Sequence, residues 1–143
     1  MHLAIDGLGV AFDTLRDMEV VRRFLDEYPA TIGMNKIAPP QVYMYRGPVP
    51  EDWGVSGFVL IAESHISVHT FPDRGYINID IFSCKDFDPG PSLEVVRETF
   101  SLSDVKVWTL ERGVDYSTSA QAQSGMDRER ARIAASSGLR DAE

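Results

Sequence analysis

The chain has 143 residues, 43% of them apolar and 25% charged; that is the length and balance of one globular domain with its own core, not of a disordered chain. Fourteen basic residues against 22 acidic ones leave a net charge of −8, a field that disfavours nucleic acid and anionic membrane as partners and suits a cationic small molecule. The single cysteine excludes an internal disulfide, no apolar run approaches the ~18–20 residues of a membrane span, and the opening Met1-His2-Leu3-Ala4-Ile5-Asp6 lacks a secretory pattern, so a cytoplasmic protein is expected.

In chain order, residues 2–12 are apolar with partial alternation and predict a first strand, with a bulge or close approach at Gly7 or Gly9. Asp13 or Thr14 can cap a helix whose apolar face, Leu15, Met18, Val21, Phe24, Leu25 and Tyr28, recurs at three and four; Pro29 marks its expected end. Residues 29–40 read as loop, residues 41–46 as a short strand and residues 47–52 as a turn-rich connection. Residues 57–62 form a continuous apolar run. Residues 65–71 and 76–84 alternate around Pro72-Asp73-Arg74-Gly75, a hairpin signal. Leu93, Val96 and Phe100 mark a second helix, and residues 105–110 a last strand. From about residue 117 the composition turns to Ser, Ala, Gln, Gly and Arg, and a mobile tail is expected over 117–143, with a thin helical pattern at 126–135. Residues 1–116 then form one α+β domain: a two-layer sandwich of a mainly antiparallel sheet with helices on one face.

The chemistry concentrates where the apolar strand runs into Glu63-Ser64-His65-Ile66-Ser67-Val68-His69-Thr70. If the strand continues, His65, Ser67 and His69 share one face while Ile66 and Val68 face the core, and with Cys84 at the end of the paired strand they would make a compact polar cluster. Taken alone, the pattern admits a solvated strand face, a metal site of His65, His69 and Cys84, or a Ser/His or Cys/His nucleophile. The metal spacing is not one of the standard pairs and there is no second cysteine, so no metal is expected.

Gly-Val-Ser-Gly at 54–57, Glu-Ser-His-Ile-Ser at 63–67, His-Thr at 69–70 and Asp-Ile-Phe-Ser-Cys at 80–84 together resemble the prokaryotic S-adenosylmethionine decarboxylase family of pyruvoyl-dependent enzymes. His2-Leu3, Gly9 and Leu110-Glu111-Arg112-Gly113 extend the resemblance over roughly residues 2–113. It implies a proenzyme. Ser64 Oγ attacks the Glu63 carbonyl, and the resulting ester undergoes β-elimination. Residues 1–63 separate from residues 64–143, which begin with a pyruvoyl group. By the same resemblance Ser56 and His69 assist processing, Ser56 at the developing oxyanion and His69 by moving a proton. The pyruvoyl group forms a Schiff base with the substrate amine and acts as electron sink, while Cys84 returns a proton to the α-carbon as general acid. The implied assembly is a homodimer with facing sheets and an active site near the interface, serving polyamine (spermidine) synthesis.

The sequence departs from the family pattern around the substrate. The family's His-Thr-Trp-Pro-Glu is here His69-Thr70-Phe71-Pro72-Asp73, so the expected ribose contact falls to the shorter Asp73. The aromatic face for adenine falls to Tyr45 or Trp53, with Phe71 also in the substrate region. Lys85-Asp86-Phe87-Asp88 follows Cys84, and the acids Glu51, Asp52, Asp73, Asp86 and Asp88 suit a guanidinium or ammonium group. L-Arginine or L-ornithine is therefore the alternative substrate to S-adenosylmethionine, and a non-catalytic ligand-binding paralogue the alternative to an enzyme.

Overall fold

The computed structural model describes residues 1–111 and residue 128; apart from that one residue, the boundary expected at 116, the tail over 117–143 and the helical pattern at 126–135 lie outside the described residues. The elements are β1 (His2–Leu8), α1 (Phe12–Leu15), α2 (Met18–Thr31), β2 (Gln41–Arg46), β3 (Trp53–Ile61), β4 (Ser64–Phe71), a 3₁₀ turn (Pro72–Arg74), β5 (Tyr76–Ser83), α3 (Pro89–Phe100) and β6 (Asp104–Leu110). All strand pairs are antiparallel, in the order β2-β3-β4-β5-β1-β6. This is the expected α+β sandwich, and the helices cover one face.

Strand alternation sets that arrangement. Leu3, Ile5, Val55, Val59, Ile61, Ile66, Val68, Ile77, Ile79 and Ile81 are buried under the helices, where α2 contributes Val21, Phe24, Leu25 and Tyr28 and α3 contributes Val96 and Phe100. Phe24 ties the layers together, stacked on Tyr28 at 4.6 Å and edge-on to Phe100 at 5.0 Å. Tyr28 donates its hydroxyl hydrogen to Ser92 O at 3.1 Å, bridging α2 to α3, and burial pushes its phenol pKa well up.

Several boundaries differ from the sequence reading. The first strand stops at Leu8 instead of residue 12, because Gly9 turns the chain with φ +78° and there is no room for a side chain against Ser103. The single helix expected from Leu15 is two helices, restarted by Asp17, whose carboxylate accepts from Glu19 N at 2.8 Å. It also passes through Pro29 to Thr31: in the last turn a proline forfeits only one helical bond, and Met34 N–H caps its carbonyl at 2.9 Å. Similarly, α3 begins four residues before Leu93 because Asp88 accepts from Gly90 N and proline occupies its first turn.

Candidate active site

The β3–β4 hairpin turns through Ala62-Glu63, with Ile61 opposite Ser64. Three hydrogen bonds fix its tip. Ala62 N–H donates to Asn35 O at 2.8 Å, Asn35 N–H donates to Glu63 Oε2 at 3.2 Å, and Cys84 N–H donates to Glu63 O at 2.9 Å. The last bond matters most chemically. The carbonyl that Ser64 would attack is already held by a fixed amide donor, which polarises it and would hold an oxyanion formed there. Ser64 has φ +152°, a region sparsely populated by residues with a side chain. The backbone is therefore strained at the Glu63–Ser64 junction.

Cys84 follows β5, whose Ser83 pairs with Ser64, and its thiol is exposed. Glu63, Ser64 and Cys84 are thus brought together as the sequence motif requires. The N-terminal ammonium donates to Ser83 O at 2.6 Å and Ser83 N–H to Met1 O at 2.9 Å, which braces this corner from the β1 side.

Ser56 and His69 form a second station. They are direct partners across β3 and β4, and His69 Nδ1 lies 3.0 Å from Ser56 Oγ. His69 is five positions from Ser64 on the same extended strand, about 17 Å at the rise of a strand. No side chain spans that distance. The compact cluster expected from His65, Ser67, His69 and Cys84 therefore does not form within one protomer. The histidines do share the open face, as expected, but the strand spreads them along its length. For the same reason the alternative metal site is not assembled: among the described residues no group of three His, Cys, Asp or Glu side chains could hold a metal ion.

The glycines and threonine around this second station have packing roles. A Cβ at Gly54 would lie 1.8 Å from Thr70 O, so only glycine lets β3 approach β4 there. Buried Thr70 donates to Leu15 O at 2.7 Å and accepts from Val55 N–H at 2.8 Å, joining α1 to both strands.

The expected substrate residues are more dispersed. Asp73 lies in the 3₁₀ turn and accepts from Trp53 Nε1–H at 2.7 Å; Arg46 lies over the Trp53 ring at 5.1 Å. Phe71 is half-buried beside Tyr76 at 5.7 Å, and Tyr45 is exposed on β2 opposite Gly54. The acids proposed to hold a cationic group fall in three separate places: Glu51 and Asp52 between β2 and β3, Asp73 in the 3₁₀ turn, and Asp86 and Asp88 before α3. Asp88 serves as the cap of α3.

Sequence reasoning missed two contributors at the hairpin tip. The Cys84 amide carries no side-chain signal at all. Asn35 sits in a segment read only as loop, and its backbone, not its side chain, holds the turn. His65 was legible in Glu63-Ser64-His65 but received no role there; its Nδ1 lies 3.4 Å from Ser64 Oγ.

Comparisons with known proteins place the chain in a family. The family model described as S-adenosylmethionine decarboxylase matches residues 1–113. The chain is 34% identical over 113 residues to the S-adenosylmethionine decarboxylase proenzyme of Archaeoglobus fulgidus, covering 78% of this chain and 96% of that one. The Clostridium botulinum proenzyme is likewise 34% identical over 113 residues, at 78% and 92% coverage. The crystal structure of the adenosylmethionine decarboxylase from Aquifex aeolicus superposes with a TM-score of 0.67 at 26% identity, over 82% of this chain and 93% of that chain. A strained Glu63–Ser64 junction with its carbonyl already held, and relatives named as proenzymes, lead to one conclusion: the chain belongs to the S-adenosylmethionine decarboxylase family.

Proposed function

We propose that this chain is a self-cleaving proenzyme whose processed form decarboxylates S-adenosylmethionine for polyamine (spermidine) synthesis. The observation that carries the proposal is the hairpin tip, where a strained serine follows a carbonyl fixed by the Cys84 amide. In the first step Ser64 Oγ forms a bond to the Glu63 carbonyl carbon. The carbonyl electron pair moves to oxygen, where the Cys84 N–H receives it, and the C–N bond then breaks to leave an ester and a free amine. In the second step Ser64 loses its α-proton and its Cβ–O bond breaks. Residues 1–63 leave as a carboxylate, and the dehydroalanine left on Ser64 tautomerises and is hydrolysed to pyruvoyl and ammonia.

These residues fit the generation of that group, and the pyruvoyl group would supply the electron sink for loss of CO₂. The exposed Cys84 thiol, beside the new terminus, is the proton donor in this reading. A donor of that kind must stay reduced, which suits the cytoplasm.

Ser56 and His69 cannot reach Ser64 of their own protomer, so they serve processing from a second copy. The open sheet face supports the required homodimer. It presents Tyr43, Tyr45, Phe58, Leu60, Trp108 and Leu110, each 42–59% exposed, for a facing sheet to cover. A two-fold pairing would supply each Ser64 and Cys84 with the partner's Ser56 and His69, and two identical sites result. Asp73, Phe71 and Tyr45 are the substrate-side residues in this reading.

The test is release of labelled CO₂ from carboxyl-labelled S-adenosylmethionine by the purified, cleaved protein, with L-arginine and L-ornithine in parallel. Turnover of S-adenosylmethionine alone is expected. Turnover of a basic amino acid alone would keep the pyruvoyl chemistry and overturn the substrate. A cleaved protein that releases CO₂ from none of the three would point to a ligand-binding paralogue.

A further inference from the structure

We propose that His65 is the base that activates Ser64 for the first step of self-cleavage, acting within its own protomer; this rests on the self-processing reading above. The Ser64 hydroxyl has one hydrogen-bonding neighbour among the described residues, His65 Nδ1 at 3.4 Å. The other titratable groups at the hairpin tip are directed elsewhere. Glu63 Oε2 accepts from Asn35 N–H, Lys85 Nζ donates to Gly33 O at 2.9 Å, and Lys36 is paired with Asp26. Cys84 meets the Glu63 carbonyl through its amide, on the oxygen side of the bond to be attacked. His69 is five positions away and hydrogen-bonded to Ser56.

The His65 ring is also oriented. It packs edge-on against Phe82, its direct partner on β5, with ring centroids 5.7 Å apart, and Phe82 also meets the His2 ring at 5.7 Å. A histidine fixed beside the nucleophile it would deprotonate has the arrangement that general-base catalysis requires, and a long contact at rest shortens as the proton moves. The step balances within the chain. Ser64 Oγ gives its proton to Nδ1 as the C–O bond forms. The same proton passes to the Ser64 backbone nitrogen as the C–N bond breaks, and His65 returns to its neutral form. The role requires the tautomer that carries its hydrogen on Nε2.

This divides processing between two histidines. His65 would drive ester formation in cis, while the partner-delivered Ser56–His69 pair would serve the elimination. A block at His65 therefore stops the chain before an ester exists.

The experiment follows freshly purified wild-type, His65→Phe and His65→Gln proteins over time by intact mass under denaturing conditions, with and without hydroxylamine, which cleaves esters but not amides. His65→Phe keeps a ring against Phe82 without an acceptor, and His65→Gln keeps a polar side chain that cannot take a proton. Both are expected to self-cleave at least ~10²-fold more slowly than wild type and to yield no extra fragment with hydroxylamine. Cleavage of either variant at the wild-type rate would overturn the role of His65, as would accumulation of a hydroxylamine-sensitive ester. A wild-type chain that never cleaves would instead remove the self-processing reading itself. Thermal unfolding of both variants identifies a folding defect; if neither folds, cleavage by a refolded His65→Ala chain without imidazole overturns the proposal, and cleavage only with imidazole supports it.

Discussion

Thr70 belongs to the His-Thr motif, yet its hydroxyl faces the core, where it accepts from Val55 N–H at 2.8 Å and donates to Leu15 O at 2.7 Å. Thr70→Val keeps the shape of the side chain and removes both bonds, so no cavity enters the comparison. One buried N–H and one buried carbonyl lose this partner, at ~1–3 kcal/mol each, for a combined cost of about 2–6 kcal/mol. For a chain of this size each kcal/mol shifts the midpoint by roughly 2–4 °C, so thermal unfolding should drop by about 4–24 °C. The assay is best run on a Ser64→Ala background, where every chain is uncleaved and the states compared are alike. Thr70→Ser retains the hydroxyl and should stay close to its parent. Equal melting of the valine and serine variants would refute the reasoning, and Thr70 would then have to be re-read as a residue of the chemistry.

Three further outcomes follow from the same geometry. Co-expressed Ser64→Ala and His69→Ala chains should complement, because the His69→Ala chain receives His69 from its partner and is cleaved, while neither variant is cleaved alone; an uncut mixture of assembled dimers contradicts delivery in trans. Cys84→Ala keeps its backbone amide on Glu63 O, so it should still self-cleave at least in part but lose most turnover, by about 10²-fold or more; normal turnover removes the thiol as proton donor. Burial raises the Tyr28 pKa above its unfolded value near 10, so the folded state keeps a proton that the unfolded state has lost. Stability should be unaffected by this group below pH ~10 and fall by ~1.4 kcal/mol per pH unit above it. Denaturant unfolding between neutral and alkaline pH should show Tyr28→Phe with a shallower alkaline decline, and an unchanged slope would contradict the assignment.

The sheet was legible because its signals are local. Alternation in β4 and β5 with a Pro-Asp-Arg-Gly turn defines a hairpin, and period-four spacing defines α2. Boundaries were less so, since Asp17 and Asp88 act as caps only in the backbone geometry that surrounds them, and Pro29 breaks little when it falls in a final turn. At the site, Glu63, Ser64 and Cys84 could be read from their motif, and β5 pairing brings them together. Distance could not be read in the same way. Gly-Val-Ser-Gly and His-Thr lie close to Glu-Ser-His along the chain, but antiparallel pairing places Ser56 and His69 together at the far end of β4. The amide that holds the Glu63 carbonyl belongs to the backbone, and no residue type announces it.

The mass of the purified protein under denaturing conditions tests the central claim most directly. Two species are predicted, residues 1–63 and residues 64–143 with the terminal serine converted to pyruvoyl, and Ser64→Ala should give one intact chain with no decarboxylation. A wild-type chain that stays whole, or a Ser64→Ala chain that still releases CO₂, would contradict it.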